Sequence, residues 1–319
     1  MHITTLTLHP ALDRLLGTKR IEAGGLFDVQ LRDVVPAGKG INTARVLRRL
    51  TKGSVTAAAW VGAADVGLFS HFLKQEGVKA RLCPRPCATR WGVTILEPGG
   101  RETHFKETMP PPSGQEERRL FSFLAGLPGE AMAVCGSAPP GTPRRLLRGI
   151  MRNLRDRFRL LLVDSSGPLL DEAGRVGCDG LKGNAAEIGA WLGLRADWDP
   201  RERKHRKRIA DRLRNRLKST PHAILITLGA NGAALATREG LWLAQPPRMA
   251  KSKVVSPTGC GDAATAGWLW ALTDRATPEE ALRRAVACGT AKLLSADPGM
   301  VNVRVVRRLR ANTRMRTRV

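Results

Sequence analysis

The stretch SPTGCGDAATAG, residues 256–267, contains the residues best suited to chemistry in this chain. Two glycines flank Cys260, and Asp262 follows where a run of small residues predicts the start of a helix. Glycines before a helix leave backbone N–H groups free to face an anion, and the helix dipole favours negative charge there. The pattern predicts an anion site, with Asp262 as either a helix-capping carboxylate or a catalytic base. In both cases we expect the nearby N–H groups to lower the pKa of Asp262.

Other glycine-rich patterns fit less well. Gly259, Gly261 and Ala264 satisfy the dinucleotide-binding pattern G-x-G-x-x-A, but that pattern normally follows the first strand of a chain. Here it lies near the C-terminal end, and the acidic residues that follow it fall at a helix start. A G-x-x-x-x-G-K-[ST] phosphate loop is absent from the sequence, because no hydroxyl follows Lys39. A dehydrogenase is therefore not expected.

The elements that must position these residues alternate between two kinds. The short apolar runs AMAVCGS, RLLLVDSS and AILITLG end in small residues, as buried parallel strands do. Segments with helical apolar spacing, such as INTARVLRRL, lie between such runs. This alternation predicts an α/β fold with a mostly parallel central sheet and helices on both faces.

Two segments interrupt the alternation. Residues 15–35 and 89–107 have few helical periods, and the second has a Pro-Gly-Gly turn between alternating runs, which is typical of a hairpin. We expect these segments to form a small β-lid on a single α/β domain that spans residues 1–319. Such lids often exclude water from a reacting centre.

Composition places the chain among globular proteins. Its 319 residues are 42% hydrophobic and 25% charged. The sequence contains neither an apolar run long enough to cross a bilayer nor a signal-peptide pattern, so we expect a cytoplasmic protein. Six cysteines are scattered along the chain, and the lone C-x3-C of Cys83 and Cys87 has no partner pair, which predicts free thiols and no zinc site.

The net charge of +25 is unusual and could indicate a nucleic-acid partner. The basic residues concentrate at positions 201–218 and in the C-terminal tail. In the first run Ile209, Leu213 and Leu217 recur every four residues, which favours a surface helix with one apolar stripe. No nucleic-acid-binding motif accompanies the charge, so we do not expect that partner. A non-enzymatic polyanion-binding protein remains the alternative of another class.

Several motifs together resemble one family. AGKGINTARVLRRL, KGNAAE and SPTGCGDAATAG resemble, in order and spacing, the signatures of the PfkB, or ribokinase-like, carbohydrate kinases. HPALD, PAGKGINTARVL, CGSAPPG and TLGANGAAL resemble NPALD, AGKGINVAKVL, SGSLPPG and SLGADGAL of the branch containing bacterial 1-phosphofructokinase and tagatose-6-phosphate kinase. The resemblance covers nearly the whole chain and implies a ribokinase-like fold.

The resemblance also implies an activity. It suggests an ATP- and Mg²⁺-dependent kinase acting on a primary hydroxyl of a ketohexose phosphate, with fructose 1-phosphate as the first candidate. Tagatose 6-phosphate, fructose 6-phosphate, an unphosphorylated sugar and a nucleoside are alternatives. The family often pairs its lids, which implies a homodimer through the lid.

At the reacting centre, the family's aspartate after the glycine-rich turn removes the proton of the attacking hydroxyl. Asp262 occupies that position, and the backbone N–H groups of Gly259, Cys260 and Gly261 would surround the phosphoryl group in flight. Phosphoryl transfer depends mainly on positioning and charge stabilisation, which such a turn supplies.

On the nucleotide side, Asn184 and Glu187 match the family's N-x-x-E, which organises Mg²⁺ and the ATP phosphates, with Glu187 acting on the metal through water. One helical turn separates the pair, so a capping box is also possible, and both roles can hold together. Lys182 aligns with the lysine of the family's K-P-N, although Gly183 replaces the proline. The nucleotide-bordering loop matches at Thr227, Gly229 and Gly232.

On the sugar side, the resemblance assigns six residues: Asp13, Gly38, Lys39, Asn42, Arg90 and Ser137. Arg90 stands where the branch has a phosphate-binding arginine, and paired Lys and Arg suit a dianionic group. The chain departs from the branch at three positions, with His9 and Gly92 each in place of an asparagine and Thr94 in place of a lysine.

Overall fold

The computed structural model describes residues 1–98, 101–194, 211–218 and 221–316. The two glycines of the expected Pro-Gly-Gly turn and most of the basic run at 201–210, including Ile209, lie outside the described residues. Residues 211–216 are helical, and Leu213 and Leu217 are both buried.

Fourteen strands are described. In chain order they are β1 (Ile3–Thr7), β2 (Ala11–Gly17), β3 (Gln30–Ala37), β4 (Val55–Gly62), β5 (Lys79–Arg85), β6 (Arg90–Glu97), β7 (Arg101–Lys106), β8 (Ala131–Cys135), β9 (Leu160–Asp164), β10 (Gly180–Asn184), β11 (Ala223–Thr227), β12 (Ala233–Thr237), β13 (Gly240–Gln245) and β14 (Arg314–Arg316).

The longer helices lie between and after these strands. They are α1 (Lys39–Leu50), α2 (Val66–Gln75), α3 (Gly114–Ala125), α4 (Arg144–Arg157), α5 (Gly167–Val176), α6 (Ala185–Leu192), α7 (Cys260–Thr273), α8 (Pro278–Lys292) and α9 (Val303–Asn312).

Ten strands form the main sheet, in the order β14-β13-β12-β11-β10-β9-β8-β1-β4-β5. The seven from β11 to β5 are parallel, and β12, β13 and β14 add an antiparallel edge. Two apolar layers cover the sheet. One contains buried residues of α1, α2, α7, α8 and α9, and the other contains those of α3, α4, α5 and α6. The predicted α/β class, with helices on both faces of a mostly parallel sheet, is confirmed.

The remaining strands form a second sheet in the order β3-β2-β6-β7. It takes in much of both segments expected to form the lid and extends to Ala11 and Ala37. Because directly paired residues share a face, the register places Asp13, Gly92 and Lys106 on one side. Val34, Arg14, Val93 and Phe105 lie on the other. The organisation of residues 1–319 as one domain stays a prediction.

Five parallel strands, β1, β8, β9, β10 and β11, end at one edge of the main sheet, where polar residues follow them. In open α/β sheets this carboxyl edge is where ligands bind. Helix α1 begins directly after Gly38, and α7 begins directly after Gly259. The N-termini of both helices therefore lie close to the same edge, since Asn42 of α1 contacts Asp262 of α7.

Candidate active site

Asp262 lies in the first turn of α7 and is almost fully buried, with 6% of its surface exposed. The side-chain amide of Asn42 donates to Asp262 Oδ2 at 2.8 Å. The hydroxyl of Thr43 donates to the backbone carbonyl of Asp262 at 3.3 Å. Two consecutive residues of α1 thus fix the carboxyl group and the backbone of Asp262.

The expected lowering of the Asp262 pKa is wrong. Burial raises the pKa of this carboxyl, and nearby Asp164 raises it further. The positive charges of Lys39 and Lys182 and the hydrogen bond from Asn42 oppose the increase. The sequence pattern showed the helix N-terminus but not how deeply Asp262 is buried, and desolvation outweighs the favourable contacts. A raised pKa increases the affinity of Asp262 for a proton, which suits a general base.

Asp164 forms a second buried centre that sequence reasoning missed. It ends β9, is 0% exposed, and accepts hydrogen bonds from Lys182 Nζ at 3.0 Å and from the hydroxyl of Thr265 at 2.6 Å. Lys39 Nζ lies 3.4 Å from its other oxygen. The only sequence signal was an aspartate at the end of the apolar run RLLLV, at the carboxyl end of a parallel strand.

The glycine-rich turn is shaped by close packing. Gly259 has a positive φ of 86°, and a Cβ there would collide with the carbonyl of Pro298. The N–H of Cys260 donates to Pro257 O at 3.2 Å, so this donor is used within the turn. The first N–H groups of a helix have no acceptor within it, which leaves those of Gly261 and Asp262 for an anion.

Lys182 lies against this turn. A Cβ on Gly261 would be 2.9 Å from Lys182 Nζ. The ammonium is therefore held between Asp164 and the N-terminus of α7. Lys39 Nζ lies 3.4 Å from Asp164 Oδ1 in the same region, and the charges of Asp164, Asp262 and Glu187 all raise its pKa.

Asn184 and Glu187 form a capping box at the start of α6. The Glu187 N–H donates to Asn184 Oδ1 at 2.9 Å, and the Asn184 N–H donates to Glu187 Oε2 at 2.7 Å. Thr227 pairs with Asn184 in the sheet. Gly229 and Gly232 follow in a turn with positive φ at both positions. The structure thus brings the predicted nucleotide-side residues to adjacent strand ends.

Asp13 lies on the buried side of the small sheet, where burial raises the pKa of its carboxyl. It pairs with Gly92, and a Cβ at Gly92 would collide with Asp13 Oδ1. The departure from the branch's asparagine at this position therefore makes room for the carboxylate. Thr94, the next departure, contacts His104 Nδ1 at 3.1 Å.

Arg90 supports the turn between β1 and β2. Its guanidinium donates to the carbonyls of Pro10, His9 and Glu107 at 3.1 to 3.3 Å. His9 Nε2 accepts from the N–H of Met109 at 3.2 Å, and burial lowers the His9 pKa to about 4, so the ring is neutral. The phosphate-binding role of Arg90 stays a prediction.

Two further sugar-side candidates, Gly38 and Ser137, lie at the start of α1 and after the end of β8. Gly38 precedes α1 with a φ of 138°, and a Cβ there would press on Thr7 and Pro10. Ser137 is exposed two residues after the end of β8. The adjacent residue, Gly136, packs against the side chain of Lys39.

The small sheet touches the anion turn through residues that sequence reasoning also missed. The hydroxyl of Thr258 donates to Glu102 Oε2 at 2.5 Å, and His104 Nε2 lies 3.1 Å from the same oxygen. Strand β7 therefore contacts the start of the glycine-rich turn. No local pattern identifies these residues, since the contact joins positions 156 residues apart.

Within the part of the chain that the structure describes, no group of three or more His, Cys, Asp or Glu side chains could hold a metal ion. No helix there is both long and apolar enough to cross a membrane. All six cysteines are free.

Comparison with known proteins places these features in a family. The model of the pfkB family carbohydrate kinases matches residues 18–300. The 1-phosphofructokinase of Escherichia coli strain K12 is 29% identical over 306 residues, covering 94% of this chain and 93% of the relative. The 1-phosphofructokinase of Bacillus subtilis strain 168 is 26% identical, covering 93% and 94%. The structure of Escherichia coli phosphofructokinase-2 in complex with fructose-6-phosphate is similar, with a TM-score of 0.83, 25% identity and 98% of each chain covered.

Proposed function

This chain belongs to the pfkB family of carbohydrate kinases, and we propose that within it the protein is a 1-phosphofructokinase. It is an ATP-dependent sugar kinase, so the alternative of a non-enzymatic polyanion-binding protein is rejected. The proposed reaction transfers the γ-phosphoryl group of ATP to the C6 hydroxyl of fructose 1-phosphate. Two bacterial relatives with this name, each matched over more than nine-tenths of both chains, support the choice of substrate.

The observation that carries the proposal is the buried carboxyl of Asp262 at the N-terminus of α7, oriented by Asn42. In the proposed reaction Asp262 accepts the proton of the C6 hydroxyl as its oxygen attacks the γ-phosphorus. The bond to the β-γ bridging oxygen breaks, and ADP leaves with the electron pair. The N–H groups of Gly261 and Asp262 stabilise charge on the transferred group.

Lys39 and Lys182 supply positive charge beside that turn. The carboxylate of Asp164 partly neutralises both ammonium groups, with its oxygens 3.4 Å from Lys39 Nζ and 3.0 Å from Lys182 Nζ. When phosphate oxygens arrive, the two lysines can pair with them without leaving Asp164, since an ammonium has three donors. This arrangement stabilises a negatively charged transition state beside the buried residues Asp164, Lys182 and Asp262.

Mg²⁺ is proposed as the companion of ATP. One carboxylate oxygen of Glu187 accepts a hydrogen bond from the Asn184 N–H in the helix cap, and the negative charge of Glu187 raises the pKa of Lys39. A magnesium ion usually keeps several waters and takes few protein ligands beside substrate phosphates, which fits a site with one such carboxylate. When bound, the ion neutralises phosphate charge.

A kinetic comparison tests the function. With ATP and Mg²⁺, the purified protein is expected to phosphorylate fructose 1-phosphate, and Asp262→Asn is expected to lose several orders of magnitude in kcat. Asn42 can still donate to the amide oxygen, so the variant keeps much of the local packing. Retained activity in Asp262→Asn would disprove the assignment of the base.

Fructose 6-phosphate is the second candidate substrate, because the similar phosphofructokinase-2 has been solved with it. A panel of fructose 1-phosphate, fructose 6-phosphate, tagatose 6-phosphate and neutral sugars separates the candidates by kcat/KM. Arg90→Ala is expected to weaken turnover of a sugar phosphate. If activity on a neutral sugar survives this substitution and exceeds that on every phosphate, the substrate is unphosphorylated.

We also propose a homodimer formed through the small sheet. The outer face of that sheet exposes apolar side chains, with Leu31 at 59% and Phe105 at 57% exposure. A second copy of the same face would cover them.

A further inference from the structure

Lys292, the last residue of α8, is buried although it is an ionisable group that the proposed reaction does not use. Its surface is 0% exposed. Its Nζ donates to the carbonyl oxygens of Ser256 at 3.1 Å and Ser295 at 2.8 Å. Burying an ammonium is costly, and its direct partners here are carbonyl dipoles rather than a carboxylate. An apolar side chain would pack at this helix end at lower cost, so packing alone does not explain a lysine.

The two carbonyls belong to the two loops that shape the anion turn. Ser256 begins the turn that leads to Gly259. Ser295 lies in the loop after α8, and that loop continues to Pro298, whose carbonyl packs against Gly259. Lys292 therefore joins both loops directly behind the residues proposed to hold the phosphoryl group.

The two carbonyl acceptors fit the ammonium form of Lys292. Burial lowers its pKa, and Cys260 with the carboxylates of Glu102, Asp297 and Asp262 offsets part of that effect. A positive charge coordinated by backbone carbonyl oxygens is the arrangement by which proteins hold potassium ions. The ammonium group of a lysine is also a compact positive charge, and its N–H donors can bond to such carbonyl oxygens.

We propose that Lys292 fills a monovalent-cation site behind the phosphoryl turn with a tethered ammonium, so that catalysis in this chain needs no free alkali cation. Lys292 is a positioning residue, since it acts through the two loops and through its charge. Its fixed charge adds to the positive potential at the N-terminus of α7 without having to bind from solution. The inference rests on the proposed role of the turn at residues 259–262.

The test compares cations and variants. With tetramethylammonium as the only monovalent cation, the wild-type rate is expected to change less than about twofold when potassium, sodium or ammonium is added. Lys292→Ala is expected to lose at least tenfold in kcat, and potassium or ammonium is expected to restore much of it by entering the vacated space. Lys292→Met is expected to stay impaired, because its side chain fills that space without charge. Lys74→Met, on the exposed side of α2, is the matched control.

A binding readout makes the test independent of the sugar. At constant ionic strength, potassium is expected to raise the Tm of Lys292→Ala but not that of the wild type or Lys292→Met. If fructose 1-phosphate is not the substrate, this shift remains measurable, so the two proposals fail separately.

Three results would overturn the inference. They are a wild-type rate raised severalfold by potassium, full activity of Lys292→Ala in tetramethylammonium, and a folded Lys292→Ala that potassium rescues in neither rate nor Tm. If Lys292→Ala does not fold, the wild-type comparison alone decides, because it requires no variant.

Discussion

At the scale of single residues, the site is built around two buried carboxylates with opposite tendencies. Burial raises the pKa of Asp262, whereas Lys182, Lys39 and the hydroxyl of Thr265 outweigh burial and lower the pKa of Asp164. Pairs of acids whose environments push their pKa values apart take different roles. Asp164 is suited to remain ionised as the partner of the lysines, and Asp262 is suited to exchange a proton.

The hydrogen bond from Asn42 to Asp262 should be visible in the pH profile. Asn42→Ala removes a donor that favours the ionised carboxylate, so the pKa of Asp262 rises further. The acidic limb of kcat/KM is expected to move to higher pH by about one pH unit. Activity lost at low pH should then return in part as the pH rises through the new value.

Thr43→Val is the control for that experiment. It removes a donor to the backbone carbonyl of Asp262 but leaves the bond to the carboxylate. Its acidic limb should stay where the wild-type limb lies. An unmoved limb in Asn42→Ala would show that Asp262 does not set this part of the profile.

At the scale of elements, two helices begin with the same kind of capping box but have different predicted roles. Ser113 and Glu116 form a capping box on α3, and Asn184 and Glu187 form one on α6. Ser113→Ala and Asn184→Ala should each cost about 1 kcal/mol of unfolding free energy, because each removes a side-chain cap. Only Asn184→Ala is expected to raise the KM for MgATP, since only this box directly follows β10, whose last residue pairs with Thr227 among the predicted nucleotide-side residues.

Denaturant unfolding and steady-state kinetics of both variants check that expectation. Glu116 of the first box instead accepts a hydrogen bond from the buried Arg85, the last residue of the edge strand β5, at 2.7 Å. Equal KM values for MgATP in the two variants would mean that Asn184 only caps α6.

The pairing of β2 with β6 gives a further element-scale prediction. Gly92→Ala places a methyl group where Asp13 Oδ1 lies, so the carboxylate or the strand must shift. The KM for the sugar substrate is expected to rise at least tenfold, with a smaller effect on kcat. Gly67→Ala in α2 meets nothing within 4 Å and should leave kinetics unchanged while stabilising the protein by up to about 1 kcal/mol. An unchanged KM for the sugar in Gly92→Ala would show that Asp13 does not bind the sugar.

The sequence predicted the elements better than the contacts between them. Apolar runs ended by small residues identified strands such as β8, β9 and β11, because buried parallel strands need that composition. The motif around Asp262 and the motif containing Asn42 were both found, but their hydrogen bond was not. Lys292 gave no signal, because a lysine near a helix C-terminus is ordinarily a solvated residue.

At the scale of the whole molecule, two properties act against each other in self-association. A net charge of +25 makes two copies repel, while the outer face of the small sheet favours their contact through apolar burial. Salt screens the repulsion far more than it affects apolar burial. The proposed homodimer should therefore strengthen as ionic strength rises, unlike an assembly held by surface ion pairs.

Sedimentation equilibrium at low and at physiological ionic strength measures this directly. The wild-type chain is expected to approach twice its monomer mass at micromolar concentration, with the lower dissociation constant at the higher salt. The double substitution Leu31→Gln and Phe105→Gln removes apolar surface from the sheet face without changing charge, so this variant should sediment as a monomer. Leu68→Gln alters an exposed leucine of α2 instead, 45% exposed, and should stay dimeric. If the double variant keeps the wild-type mass, the copies meet through another surface. A wild-type monomer at both salt concentrations would exclude the dimer, because apolar burial at the sheet face would then be too weak to overcome the charge repulsion.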